Sequence, residues 1–84
     1  MGMDDTKTVR DAFLDTVMTQ IEKGDPPETR ATFERLTGAG RQKNEALILI
    51  AGALRDEMNR MLADATPFDR NRYAELLTRI PAQG

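Results

Sequence analysis

Two groups of side chains in this sequence are of types that could do chemistry, and the first is its carboxylates. Asp11 and Asp15 stand one helical turn apart, and Asp56 adjoins Glu57, with Glu45 earlier in the same segment. Two acids held together can divide general acid and base roles, or bind Mg²⁺ or Mn²⁺ through oxygen. However, Lys7 lies four residues before Asp11 and Arg60 four after Asp56. That is the spacing of solvent-exposed ion pairs along a helix, each contributing ~0.3–0.5 kcal/mol. Glu57 falls at the edge of an apolar stripe, where a structural salt bridge to Arg55 or to an arginine of the last segment is the expected role. The carboxylates therefore predict solvated faces rather than an enzyme centre or a metal site.

The second group is basic. The chain of 84 residues carries 12 Lys+Arg against 14 Asp+Glu, a net charge of −2, and the charge is uneven. Residues 1–34 hold four basic and eight acidic groups, and residues 35–84 hold eight basic and six acidic. Arg35, Arg41 and Lys43 cluster around a glycine-bearing turn, and Arg70, Arg72 and Arg79 follow near the end. A helix, a short turn and a second helix over residues 30–53 invite a helix-turn-helix reading with Arg35, Arg41, Lys43, Arg70 and Arg72 as nucleic-acid contacts. A recognition helix must lay a polar face into the major groove, whereas the second helix here would present Leu47 to Ala53. A nucleic-acid-associated regulator is thus the alternative reading, not the leading one. The turn itself, Thr37-Gly38-Ala39-Gly40-Arg41, has backbone N–H groups that could cradle an anion. It matches neither the P-loop nor the dinucleotide pattern and follows no strand, so a helix-ending turn is expected.

Absences narrow the chemistry further. With no Cys and no His, the chain cannot build a zinc finger, a thiol nucleophile, a Ser/His/Asp triad or an imidazole haem ligand. No cofactor is expected, and no disulfide can staple the fold, which suits a reducing cytoplasm. The longest strongly apolar run, residues 46–54, has nine residues, far short of the ~20 that span a bilayer. The acidic opening Met1-Gly2-Met3-Asp4-Asp5 does not read as a secretory signal.

The elements that must position these residues follow from punctuation and period. Gly24-Asp25-Pro26-Pro27, Gly38-Ala39-Gly40 and Thr66-Pro67 divide the chain into four segments. Each has helical periodicity, giving helices at about 6–23, 26–37, 42–64 and 68–79, and none alternates like a strand. In the first, Val9, Phe13, Val17 and Ile21 recur every four residues, with Leu14 and Met18 widening the stripe. Gly24 suits a left-handed cap. Asp25 with Pro26, and Thr66 with Pro67, read as a capping residue followed by a first-turn proline, with Glu28 and Asp69 as reciprocal partners. The third helix is the spine, its stripe running through Leu47, Ile50, Ala51, Leu54, Met58, Met61 and Leu62. Tyr73, Leu76, Leu77 and Ile80 form the inward stripe of the fourth, the Tyr73 hydroxyl is expected to bond at the core edge, and Pro81 stops the helix.

The reverse face of the third helix is the main candidate site. Glu45, Ile48, Leu49, Gly52, Ala53 and Asp56 gather there. A glycine inside a helix costs ~1 kcal/mol relative to Ala, so its presence needs a reason. Either a partner helix approaches closely over Gly52 and buries Ile48 and Leu49, or the second helix of the same chain covers that face and seats Phe33 or Leu36 there.

The run Glu45-Ala46, Leu47-Ile48, Leu54, Glu57-Met58, Phe68-Asp69, Arg72-Tyr73, Leu76-Leu77 and Pro81 resembles small uncharacterised bacterial helical proteins over roughly residues 26–81. The resemblance implies a bacterial origin and a four-helix domain, and it transfers no activity.

The resulting expectation is an all-α, compact four-helix domain over residues 1–84, with disordered tails at 1–5 and 82–84. It would be a cytoplasmic, non-enzymatic interaction or accessory module that docks a protein partner or a second copy through the third helix, with no membrane segment, metal or small-molecule ligand.

Overall fold

The computed structural model describes residues 9–82 and, among these, four helices and no strand: α1 Val9–Lys23, α2 Pro27–Gly38, α3 Lys43–Asp64 and α4 Arg70–Thr78. The all-α four-helix domain expected from periodicity is the observed one. The expected start of α1 at Thr6, the tail at 1–5 and the last two residues lie outside the described residues, as does the side chain of Val9.

Helix ends depart from expectation in how they are capped. Gly24 adopts the left-handed conformation (φ 66°) that ends α1. At α2, however, Pro26 is the capping residue and Pro27 opens the helix, with no side-chain cap. The Asp25 N–H instead donates to the Gln20 carbonyl at 3.1 Å, which ties the turn back to α1. At α4 the cap is Asp69 rather than Thr66: its Oδ1 accepts from the Arg72 N–H at 3.0 Å. Ala65, not a glycine, takes the left-handed position (φ 54°) that closes α3.

The core forms where the four stripes meet. Val17 of α1, Leu36 of α2, Ile50 and Leu54 of α3, and Tyr73 and Leu77 of α4 are buried, and Phe13, Ile21, Phe33 and Leu47 pack half-buried against them. Small residues let the helices close: Ala46, Ala51 and Ala53 are all buried on α3. α2 packs on α1, α3 and α4, and α3 does likewise with the other three, whereas the Cα atoms of α1 and α4 stay more than 8 Å apart.

Three apolar residues assigned to inward stripes are exposed. Met58 is 40% exposed, Met18 53% and Leu62 82%. On α3, from Met58 to Asp64 only Met61 is even half-buried, and Met58 and Met61 border an open cleft beside Ala12 and Phe13 of α1 instead of packing into the core.

α2 shows the converse. Besides Leu36 it buries Thr29 and Thr32, two polar residues with no apolar signal. No helix is long and apolar enough to cross a membrane among the described residues.

Candidate functional site

Laid out at about 100° per residue, α3 turns Ile50, Leu54 and Glu57 inward and leaves a strip centred on Gly52 facing outward. Glu45, Asp56 and Arg55 along it are exposed, Ile48 is 44% exposed, and Leu49 is half-buried. Ala53 is buried at 6% exposure and joins the core while still lining the groove beside Gly52. Gly52 itself has open space above it, since a Cβ built there would meet nothing within 4 Å. Neither Phe33 nor Leu36 fills that space: Leu36 is fully buried in the core and Phe33 lines a cleft against α1. The second helix therefore does not cover this face.

α4 supplies the far wall. Leu76, Ile80 and Pro81 face Leu49, Gly52 and Ala53 across a groove of about 410 Å³, flanked by Arg55, Asp56 and Arg79. It continues into a polar cleft of about 210 Å³ that shares Asp56, Leu76 and Arg79 and adds Glu57, Arg60, Arg72 and Glu75. A strip with an apolar centre and charged ends results, running along α3 and α4.

Glu57 holds those two helices together. Its carboxylate is fully buried and is bonded by Arg72 Nε at 2.6 Å, Arg72 Nη2 at 3.0 Å and the Asp69 N–H at 3.0 Å. The Arg72 hydrogen bond, helped by the Asp69 N–H, holds the Glu57 carboxyl below its ordinary value against the opposing effect of burial. A carboxylate bound this way is an anchor for the first turn of α4 rather than a proton donor. The salt bridge expected to an arginine of the last segment is this one. No group of three or more His, Cys, Asp or Glu side chains converges as a metal site among the described residues, and Asp56 pairs at 3.9 Å with its neighbour Arg55.

The basic residues divide by what holds them. Arg35 Nη2 donates to the Leu77 carbonyl at 3.1 Å, and Arg41 donates through Nε and Nη2 to the Pro81 carbonyl at 3.1 and 2.8 Å while pairing with Glu45 at 2.9 Å. The two guanidinium groups thus bond the chain at and just beyond the end of α4: the Leu77 carbonyl, which also accepts the Ile80 N–H at 3.2 Å, and the Pro81 carbonyl, three residues past the helix. Arg72 is committed to Glu57. Arg70 reaches Asp25 at 3.7 Å with both side chains exposed, and Lys43 borders the cleft containing Phe33 and Leu47. The structure thus does not gather Arg35, Arg41, Lys43, Arg70 and Arg72 into one basic face.

The glycine turn closes α2. The N–H groups of Ala39, Gly40 and Arg41 donate to the carbonyls of Arg35, Leu36 and Thr37 at 3.0–3.2 Å, so those N–H groups are engaged within the turn and do not form an anion cradle.

The sequence did not signal a second cleft, on the opposite side of α3. Ala12, Phe13, Thr16, Leu54, Met58, Met61 and Phe68 line about 570 Å³, with Gln20 as its polar corner. Gln20 Oε1 accepts from the Tyr73 hydroxyl and the Thr29 hydroxyl, both at 2.9 Å. Phe68 meets Tyr73 edge-on with centroids 5.5 Å apart. Burial pushes the Tyr73 hydroxyl above its ordinary value, partly offset by Thr29. With no ionisable side chain on its walls, this cleft offers apolar contact and no acid or base. Its partners lie 44 and 53 residues from Tyr73, too far apart for spacing to reveal. No family model, curated protein or solved structure matches the chain.

Proposed function

We propose that this chain is a non-enzymatic helical interaction module of the bacterial cytoplasm, docking a protein through the outer face of α3 and the groove it shares with α4. The observation that carries this reading is the open space over Gly52. A mid-helix glycine that no neighbour in its own chain requires is a position kept at ~1 kcal/mol below alanine in helix stability. It lies beside Ile48, a β-branched residue left 44% exposed, and the half-buried Leu49, Leu76 and Ile80. A helix laid over Gly52 would bury these together.

Site-specific crosslinking in cells tests the reading. A photoreactive side chain at position 48 is expected to capture one discrete protein species, and the same group at exposed Asp64 is not. Adding Gly52→Leu, whose Cβ would meet nothing within 4 Å, should abolish the capture. Equal labelling from both positions, or capture indifferent to Gly52→Leu, would overturn it.

A further inference from the structure

Resting on the reading of the α3 face as a docking surface, we infer that its occupant is a second copy of this chain, with the two α3 helices antiparallel and crossing at Gly52. Charge is arranged about that glycine so that one copy complements another. Glu45 lies seven residues before Gly52 and Arg60 eight after it, or about 10 Å and about 12 Å along the axis in opposite directions. Both project to the same side of the strip, at about 20° and about 80° round from Gly52. A two-fold axis through the crossing point, perpendicular to both helices, keeps that side common to the two copies. It sets each Glu45 level with the second copy's Arg60, so one surface supplies two identical ion pairs.

The rest of the strip fits the same symmetry. Gly52 meets Gly52, where neither copy has a side chain and the space above is open, so the helix axes can approach closely. Ile48 falls level with the second copy's Arg55, whose aliphatic stem can cover it while the guanidinium stays in water. The charges this requires are accessible: Arg60 is exposed and, among the described residues, acts on Glu57 only at longer range than an ion pair, and Glu45 is 53% exposed despite its bond to Arg41. A parallel arrangement would instead set Glu45 against Glu45 and Arg60 against Arg60. The pattern therefore selects both the partner and its direction.

Sedimentation equilibrium from about 1 µM to about 1 mM, on wild type, Glu45→Arg, Arg60→Glu, the double reversal and Gly52→Leu, provides the test. The wild type should form a dimer. Each single reversal should weaken it about tenfold or more, because the change enters twice by symmetry. The double reversal restores both pairs with opposite sign and should recover most of the loss. Gly52→Leu should be monomeric with an unchanged helical circular dichroism spectrum, which separates a blocked contact from a lost fold. A wild type that stays monomeric throughout, or a dimer in which the double reversal is no better than the singles, overturns the inference. If the monomeric protein still gives discrete crosslinks from position 48 to another protein, the docking face stands and only the second copy falls; if it gives none, both fall.

Discussion

At the scale of single residues, the open glycine and the buried polar cluster behave in opposite ways. Replacing Gly52 by Ala adds a Cβ where nothing lies within 4 Å and removes a flexible residue from a helix interior. The monomer should gain ~0.5–1 kcal/mol, a rise of a few degrees in Tm for a domain of this size, read by thermal denaturation of a dilute sample. Tyr73→Phe removes a hydroxyl bonded to Gln20 but leaves Thr29 and Gln20 bonded to one another at 2.9 Å. The loss should be limited to ~1 kcal/mol, measured by urea unfolding. As the only tyrosine in the chain, Tyr73 also reports on itself. Burial raises its pKa above the ordinary 10.0, so ultraviolet titration of the folded protein should show phenolate forming later than in the urea-unfolded chain. In that alkaline window the unfolded state releases the proton first, and stability falls as pH rises. The core-edge bond of Tyr73 was legible from its place on an inward stripe; its partners were not, because Gln20 and Thr29 sit on other helices.

At the scale of elements, α4 is short, nine residues, and is held at both ends by other helices. Asp69 caps its start and is itself fastened to Glu57, while Arg35 and Arg41 cover the carbonyls of Leu77 and Pro81 at its end. Replacing Arg35 and Arg41 together by Met retains most of their apolar stems and removes the donors. Amide exchange in the last turn of α4 should then accelerate about tenfold or more, while the Val17 and Ile50 amides are unchanged, as seen by hydrogen exchange. These arginines stood out in the sequence as a possible nucleic-acid cluster because they are close to one another and to a turn. What occupies them is a helix end 40 and 42 residues away, which proximity in sequence could not reveal. Helix boundaries within the described residues were legible to within two residues, the expected start of α1 lying outside them. The caps were less so, since a cap depends on which residue leaves helical φ and ψ, and two adjacent prolines at 26 and 27 offer two ways to begin.

At the scale of the whole molecule, Glu57 links stability to pH. Its folded-state pKa lies below the ordinary 4.5 because Arg72 and the Asp69 N–H bind the charged form. Its contribution is complete above that ordinary value and is lost as pH falls through the folded one, because the unfolded chain takes up the proton first. Unfolding followed from pH 7 to pH 2 should therefore show an acid-side slope that is shallower in Glu57→Gln, a variant less stable than wild type by ~2 kcal/mol at neutral pH. A wild-type slope unchanged by the substitution would show that the pair does not couple α4 to the rest. The sequence alone determined the class of molecule: helical periodicity in four segments separated by glycine and proline leaves only a helical domain, and the absence of Cys and His removes whole families of chemistry. Those properties are local or compositional, so they survive without knowledge of contacts. Tertiary structure decided everything that depends on which faces meet. It buried Thr29, Thr32, Ala53 and Glu57 and exposed Met58 and Leu62 on the last turns of α3. It also left Gly52 open, because α2 packs against the other side of α3, and a helix with apolar residues on several faces does not by itself specify which face its neighbours will take.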